Sequence, residues 1–156
     1  MRKSITSLKG YHIEISNLKL NPLLMEIIHQ KCFVKYWDEA YFSSLLNNQN
    51  YKIFIASDKN LFGFLIIQLA KDFAEVLTLA IDPKKRRLGI AYNLLKEAIN
   101  WLALNNFSQL TLEVSVNNIP AQKLYQSLKF IEVGKRKNYY NLNGKLIDGL
   151  VYYKKI

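Results

Sequence analysis

The hydrophobic and polar positions along the chain divide it into short strands and amphipathic helices. Tyr11 to Ile15 alternates and predicts a strand. Two helices are predicted by the N-cap signals Asn21-Pro22 and Asp38, the second running to Leu46. Tyr51 to Ser57 and Leu61 to Leu69 are apolar runs around an Asp-Lys-Asn triplet, which is typical of a β-hairpin. The first half is therefore predicted to form an antiparallel meander with two helices.

The second half of the chain predicts a strand–helix–strand unit, then a helix and a hairpin. Ala74 to Ile81 and Ser108 to Val116 are the strands, and Ile90 to Leu102 places apolar residues on one helical face. A connection of this length joins parallel strands. The remaining elements are a helix opening at Asn117-Asn118 and strands over Phe130 to Tyr140 and Lys145 to Lys154. The expected fold class is α/β, with a mixed sheet of about seven strands and about four helices.

The composition is that of a folded protein that favours acidic partners. Half of the 156 residues are hydrophobic and 13% are aromatic, which predicts a packed core in one domain over residues 1–156. The net charge of +10 points to nucleic acid, an anionic membrane surface or a phosphate-rich cofactor, or else reflects a bias towards Lys and Asn. One cysteine excludes an intramolecular disulfide, and the apolar runs suit neither a signal peptide nor a bilayer span. A cytoplasmic protein is expected.

A basic turn at the start of the second-half helix has the features of a phosphate site. Arg86, Gly89 and Ala91 follow the pattern Arg-x-x-Gly-x-Ala, in which small residues let a ligand approach free backbone N–H groups. The helix dipole there favours negative charge. The pattern is neither a P-loop nor a dinucleotide fingerprint. The alternative is an exposed basic loop with an ordinary glycine.

Two residues after this turn are candidates for proton transfer. Glu113 lies between Leu112 and Val114 in a strand, so its carboxylate is edge-facing, salt-bridged or a general base. Tyr125 lies on the apolar face of its helix, where it is a core aromatic with a bonded hydroxyl or a proton donor.

Three other groups carry weaker signals. His29 and Cys32 are close enough on one helix to touch, but no third group supports a Cys–His nucleophile, and Cys32 is predicted to be a small buried hydrophobe. No metal is predicted, because no cluster of Cys, His and acidic residues has ligand spacing. Lys129 to Ile156 interleaves basic and tyrosine residues, which predicts a nucleic-acid platform or, more simply, a solvated strand face.

Taken together, these segments resemble the Gcn5-related N-acetyltransferase (GNAT) superfamily, in particular its RimI type. LAIDPKKRRLGIA is similar to the family's acetyl-CoA segment, which ends in [RQ]-x-x-G-x-[GA]. LEVSVNNIPAQKLYQSLKF is similar to LEVRxxNxxAxxLYxxxGF. KRKNYY and the later Asp148 resemble RxNYY and the Asp of the final strand, and CFVKYW loosely resembles the segment that lines the substrate side.

The resemblance implies a site made of cofactor contacts and two catalytic residues. The implied catalytic residues are Glu113 as proton acceptor and Tyr125 as proton donor. The implied contacts to acetyl-CoA are Leu79, Ala80 and Ile81 along the pantetheine arm, Arg86, Arg87, Leu88, Gly89, Ile90, Ala91 and Tyr92 around the pyrophosphate, and Asn118. The family's splayed strands, here 74–81 and 108–116, are expected to hold the pantetheine between them.

The implied activity is direct transfer of an acetyl group to the N-terminal α-amine of a protein, in this type a ribosomal protein. Alternatives are another amine, such as a polyamine, aminoglycoside or lysine, and a basic RNA- or ribosome-binding module without turnover. No membrane partner is expected, and nucleic-acid contact is expected only through the ribosome. The chain departs from the family pattern at Leu88, Ser115, Lys129 and Gly149. At Lys129 the family has glycine, so a left-handed backbone there would cost roughly 1 kcal/mol.

Overall fold

Eight strands form one hydrogen-bonded sheet in the computed structural model, which describes residues 5–8, 10–15 and 20–156. The strands are β1 (Ile5–Leu8), β2 (Tyr11–Ile15), β3 (Tyr51–Ser57), β4 (Leu61–Ala70), β5 (Phe73–Ile81), β6 (Gln109–Ser115), β7 (Ile131–Leu142) and β8 (Lys145–Lys155). The helices are α1 (Pro22–Cys32), α2 (Glu39–Leu46), α3 (Ile90–Leu104) and α4 (Ile119–Ser127), with a short 3-10 turn over Pro83–Lys85. The predicted mixed α/β architecture is confirmed.

The strand order is β1-β2-β3-β4-β5-β6-β8-β7. Neighbouring strands are antiparallel except for β5 and β6, which are parallel and joined by α3, as predicted. The turn between β7 and β8 consists of Asn143 and Gly144, at φ 53 and 82. Two left-handed residues in a two-residue loop match the natural twist of the strands they join, which explains the tight hairpin.

The sheet has one strand more than the predicted seven in the part of the chain that the structure describes. This strand, β1, pairs antiparallel with β2 and places Leu8 opposite Tyr11. Its sequence, ITSL, is too short to establish a hydrophobic period, so pattern analysis has no signal for it.

Apolar residues alternate between the two faces of the sheet. Leu110, Leu112 and Val114 of β6 are buried in the larger core, together with the apolar faces of α3 and α4. The opposite face carries a smaller core with α1 and α2, in which Phe42 packs edge-on against Phe64. The sheet is thus the middle of three layers, with the larger core on one face and the smaller core on the other. Strands β5 and β6 lie between these two cores.

The helix ends follow the predicted capping residues. The side chains of Asn21, Asp38 and Asn118 accept backbone N–H bonds from Leu23, Tyr41 and Ala121 at 3.0, 2.8 and 3.2 Å. Just beyond α4, Lys129 lies at φ 65, the left-handed conformation expected from the family's glycine. The departure at Lys129 therefore carries the predicted backbone strain.

Candidate active site

The strands β5 and β6 pair over only three residues and then separate. Their ladder joins Phe73, Ala74 and Glu75 to the strand that begins at Gln109, while β5 continues to Ile81. The register between β4 and β5 shifts at Leu77, where a bulge bends β5. The splaying of these two strands, expected from the family resemblance, is confirmed. The opening belongs to a cleft of about 1010 Å³ that runs from the basic turn to Glu113.

The end of this cleft beside the basic turn is the start of α3. Gly89 is the N-cap residue at φ 75 and provides no capping side chain, and the first helical bond runs from Asn93 N–H to its carbonyl oxygen. The N–H groups of Ile90, Ala91 and Tyr92 therefore remain available for a ligand. With the helix dipole and the adjacent basic residues, they form a site suited to an anion such as a pyrophosphate.

The basic turn is anchored to the end of α1. Asp82 accepts the backbone N–H of Lys84 at 3.0 Å and pairs with Lys31 at 2.8 Å, and the bond from Lys31 is the main reason that its pKa is lowered. The Arg86 guanidinium donates to the Ile81 carbonyl at 3.3 Å and to the Cys32 sulfur at 3.4 Å. These contacts hold the turn in one conformation before any ligand binds.

Glu113 lies where the two strands have separated and faces the cleft. Its Oε1 accepts a bond from the Arg136 Nε at 2.8 Å, and its side chain is 13% exposed against 57% for the arginine. The Tyr139 ring lies under the Arg136 guanidinium at 5.1 Å. A hydrogen bond to Glu113 is also the main cause of the raised pKa of Tyr139. Glu113 is thus both salt-bridged and exposed to the cleft, where it is able to act as a base.

Tyr125 approaches the same cleft from the larger core. It is 6% exposed and packs against Phe130 and Tyr152, with ring centroids at 5.8 and 6.1 Å. Burial, and to a lesser extent Tyr140, raises the pKa of Tyr125 well above that of a free phenol. Burial followed by the charge of Glu113 raises the pKa of Tyr140 to about 12. Both phenols therefore stay protonated at neutral pH and are hydrogen-bond donors.

An irregular stretch of β7 brings its tyrosines to the cleft. Arg136 pairs with Gly149 and Tyr140 with Ile147, so residues 137–139 oppose Asp148 alone. The Asp148 carboxylate stabilises this bulge by accepting the Asn138 N–H at 2.9 Å. A Cβ added to Gly149 would lie only 3.1 Å from the Tyr139 ring, which explains why glycine suits this position.

The position of Tyr125 relative to Glu113 is set by a contact between α4 and the end of β6. The Gln122 Nε2 donates to the carbonyl oxygens of Ser115 and Val116 at 3.1 and 2.9 Å. These bonds satisfy the backbone where β6 ends and fix the first turn of α4 against it. The strand bearing Glu113 and the helix bearing Tyr125 are therefore joined directly.

A smaller cavity of about 210 Å³ lies on the other side of Glu113. It is lined by Glu75, Val76, Leu77, Glu113, Tyr139 and Tyr140. Sequence analysis missed Glu75 and the partnership of Arg136 with Glu113. The only local signal for Glu75 is its position in the strand before the basic turn, and the Arg136 contact depends on the register of three strands.

The structure places most of the predicted site residues on the main cleft. The lining includes Leu79, Ile81, Arg86, Arg87, Gly89, Ile90, Ala91, Tyr92, Asn118, Glu113 and Tyr125. Ala80 instead points its side chain into the smaller core, and Leu88 is 59% exposed and does not line the cleft. These two residues are placed to offer a ligand only their backbone. The individual roles of all these residues stay predictions.

His29 and Cys32 have separate surroundings. His29 is buried, accepts the Trp37 N–H at its Nδ1 at 3.1 Å and lies 3.2 Å from the Thr78 hydroxyl through its Nε2. Burial lowers its pKa to about 4, so the ring is neutral. Cys32 donates to the Ile81 carbonyl at 3.3 Å and lines the cleft. Cys32, predicted to be a small buried hydrophobe, packs against the smaller core but is only half-buried, beside the basic turn.

Within residues 5–8, 10–15 and 20–156, no group of three or more His, Cys, Asp and Glu side chains is arranged to hold a metal ion. No helix in that part of the chain is long and apolar enough to cross a membrane.

A mixed sheet that splits between two parallel strands, beside a helix N-terminus and a basic turn, defines a class of acyl-CoA-dependent transferases. The family model for the Acetyltransferase (GNAT) family matches residues 23–130. The chain belongs to this family.

Relatives from several bacteria are similar over most of the chain. The [Ribosomal protein bS18]-alanine N-acetyltransferase of Haemophilus ducreyi is 38% identical over 116 residues, which are 72% of this chain and 78% of the relative. The enzyme of the same name from Escherichia coli K12 is 32% identical over 124 residues, 80% of this chain and 84% of the relative.

Solved structures agree with these similarities. The ribosomal-protein-S18-alanine N-acetyltransferase from Escherichia coli superposes with a TM-score of 0.84 at 29% identity, covering 92% of this chain and 94% of that one. Arabidopsis thaliana NAA60 in complex with acetyl-CoA has a TM-score of 0.84 at 20% identity, covering 94% and 99%, which shows a shared fold. The fold expected from the sequence is confirmed.

Proposed function

We propose that this protein transfers the acetyl group of acetyl-CoA to the N-terminal alanine of a ribosomal protein of the bS18 type. One observation carries the proposal: a continuous cleft joins the anion-binding start of α3 to Glu113 and Tyr125. The names of the bacterial relatives, which cover most of the chain, support the choice of acceptor. We further propose one catalytic domain over residues 1–156 and a cytoplasmic location.

The cleft fits acetyl-CoA, which as co-substrate supplies the acetyl thioester. The free N–H groups of Ile90, Ala91 and Tyr92 would bind the pyrophosphate, with Arg86 and Arg87 supplying positive charge. Along β5, residues 76–80 lie beyond the three-residue ladder with β6, so their backbone edge faces the cleft and is free to pair with the amides of the pantetheine arm, whereas the Ile81 carbonyl already accepts bonds from Arg86 and Cys32. Asn118 would add a contact through its amide nitrogen, since its oxygen caps α4.

Glu113 would prepare the acceptor for attack. An α-amino group has a pKa near 8, so much of it is protonated at neutral pH and is not nucleophilic. The Glu113 carboxylate faces both the main cleft and the smaller cavity, where an acceptor amine would stand. We infer that it removes the ammonium proton, directly or through one water.

Tyr125 would act at the departing sulfur. Its raised pKa keeps the phenol protonated, while a thiol has a pKa of about 8.5. Complete proton transfer from this phenol to a thiolate would run uphill. The contribution of Tyr125 is therefore a hydrogen bond that stabilises the negative charge developing on sulfur.

A second acceptor class is favoured by the acidic lining of the smaller cavity. Glu75 and Glu113 both face it, and two carboxylates suit any small cationic amine, including a polyamine. The departures at Leu88 and Ser115 from the family pattern are consistent with an altered acceptor. N-terminal alanine remains the first candidate, because the relatives with that activity are similar over most of the chain.

Transfer of labelled acetyl groups to defined acceptors tests this proposal. Purified protein is incubated with isotopically labelled acetyl-CoA and with peptides that begin with free alanine, including the N-terminal sequence of bS18 from the same organism. Spermidine and a peptide with an internal lysine are the competing acceptors. We expect mass spectrometry to find the label on the alanine amine. Labelling of spermidine with unlabelled peptides would replace the proposed acceptor, and no transfer to any amine would contradict the activity.

A further inference from the structure

Two carboxylates face the smaller cavity from neighbouring parallel strands. Glu75 is the last residue of β5 that pairs with β6, and its partner is Thr111, two residues before Glu113. Alternate residues of a strand share a face. Because Ala74 and Leu112 point into the larger core, Glu75 and Glu113 point to the opposite face, where both line the cavity.

Only one of these two carboxylates has a cationic partner. Arg136 pairs with Glu113 at 2.8 Å and rests on the Tyr139 ring. The Glu75 carboxylate makes no side-chain hydrogen bond or ion pair with any residue in the described part of the chain, although the side chain is half-buried. Burial first, and then the charge of Glu113, raises the pKa of Glu75, while Arg136 opposes this shift. The carboxylates thus repel each other across the cavity, and one guanidinium neutralises only one of them.

The two carboxylates have different surroundings, which suit them to different roles. The bond to Arg136 engages Oε1 of Glu113 and orients that side chain towards the cleft. The cavity of about 210 Å³ has room for a small residue with its amino group beside Glu75. An ammonium group placed there would give Glu75 the ionic partner that it lacks and would lie next to the base.

We propose that Glu75 is the residue that binds the positively charged amino group of the acceptor before Glu113 deprotonates it. This inference rests on the proposed function and adds to it the recognition of the acceptor by charge. Glu75 selects amines that arrive as cations and rejects the neutral acetamide, so it also favours release of the acetylated product. The proton leaves to Glu113, and no other bond changes at Glu75.

Acceptor affinity, measured without turnover, tests this role. Protein saturated with CoA is titrated in a calorimeter with an alanine-starting bS18 peptide and with the same peptide already acetylated at its N-terminus. We expect the wild-type protein to prefer the free amine by about tenfold or more, as a charge-assisted contact provides. Glu75→Gln should remove most of this preference and Glu75→Asp should restore part of it. The matched control is Glu132→Gln, which changes an exposed carboxylate of β7 outside the cleft.

Steady-state kinetics separate binding from chemistry. Glu75→Gln should raise the acceptor KM by about tenfold, with kcat and the KM for acetyl-CoA close to wild type. A preserved preference for the free amine, or a loss confined to kcat, would overturn the role of Glu75 and leave the proposed function intact. If the wild-type protein acetylates spermidine and not the peptides, the proposed acceptor fails. The same titration with spermidine and N-acetylspermidine then decides the role of Glu75.

Discussion

At the scale of single residues, the site depends on how Arg136 and Tyr140 are arranged around the negative charge of Glu113. Glu113 holds the negative charge, Arg136 balances it from the solvent side, and Tyr140 lines the same cleft as Glu113 and Tyr125. The arginine is more than half exposed, so its pair with Glu113 contributes little to stability. It orients the carboxylate, and in the proposed reaction this orientation would affect the rate.

Replacement of the base is the most direct test at this scale. Glu113→Gln retains the shape of the side chain and its bond from Arg136, but it is unable to accept a proton. We expect kcat to fall by about 100-fold or more, with acetyl-CoA affinity unchanged by calorimetry. Glu132→Gln should leave both values unaltered. If Glu113→Gln lowers cofactor affinity and kcat to the same extent, the carboxylate has a structural role.

At the scale of elements, a residue in the left-handed conformation lies at the start of α3 and another just beyond α4, with opposite consequences. Gly89 uses this conformation without strain and thereby exposes the first N–H groups of α3. Lys129 adopts it with a side chain and gains no such site. One end is suited to a ligand, and the other carries a cost in stability.

An acidic residue at the start of α3 should prevent cofactor binding. Gly89→Asp introduces a side chain at φ 75 and a negative charge where a pyrophosphate would bind. We expect the Kd for acetyl-CoA to rise by at least about 100-fold, because strain and like-charge repulsion act together. Gly144→Asp makes the same change at the exposed left-handed turn between β7 and β8, which does not itself line the cleft, and serves as the control. Unchanged acetyl-CoA affinity in Gly89→Asp would remove the phosphate assignment.

Glycine at the end of α4 should stabilise the protein. Lys129→Gly relieves the left-handed strain and should raise the free energy of unfolding by up to about 1 kcal/mol, measured with urea. The matched variant Lys123→Gly changes an exposed lysine in the interior of α4. This variant should lower the free energy of unfolding by about 1 kcal/mol. A loss of stability in both variants would mean that the lysine at 129 makes a compensating interaction.

At the scale of the whole molecule, the sequence predicted the strands and helices better than the contacts between them. The period of Ile90 to Leu102 and the cap residues Asn21, Asp38 and Asn118 are local signals, and each predicted its helix correctly. The contact of Arg136 with Glu113 depends on the order β6-β8-β7 and on a bulge, which no periodicity encodes. Glu75 was missed for the same reason, since an alternating pattern predicts a face and not the neighbours on it.

The stability of the whole protein should depend on pH through His29. Its folded-state pKa of about 4 lies below the usual value of 6.5, so the unfolded chain takes up the proton first as the pH falls. Stability is therefore full above about pH 6.5 and declines towards pH 4, by up to about 3 kcal/mol. Urea unfolding across this range should show the decline in the wild-type protein and in the control His12→Gln, and a flatter profile in His29→Gln.

An independent measurement follows the ring itself. NMR of the imidazole should show that His29 stays neutral until about pH 4. Titration of the His29 ring near pH 6.5 would show that the imidazole is not desolvated, and the link between this residue and acid stability would be lost.

The separation of β5 and β6 has a consequence for the order of events in a catalytic cycle. Because the gap passes through the sheet, acetyl-CoA and acceptor would occupy opposite sides of one passage and need not exchange places. Neither substrate has to depart before the other arrives, and no acetylated form of the protein is required between them. Initial-rate plots against both concentrations should therefore give intersecting lines, and parallel lines would indicate a two-stage exchange through the protein.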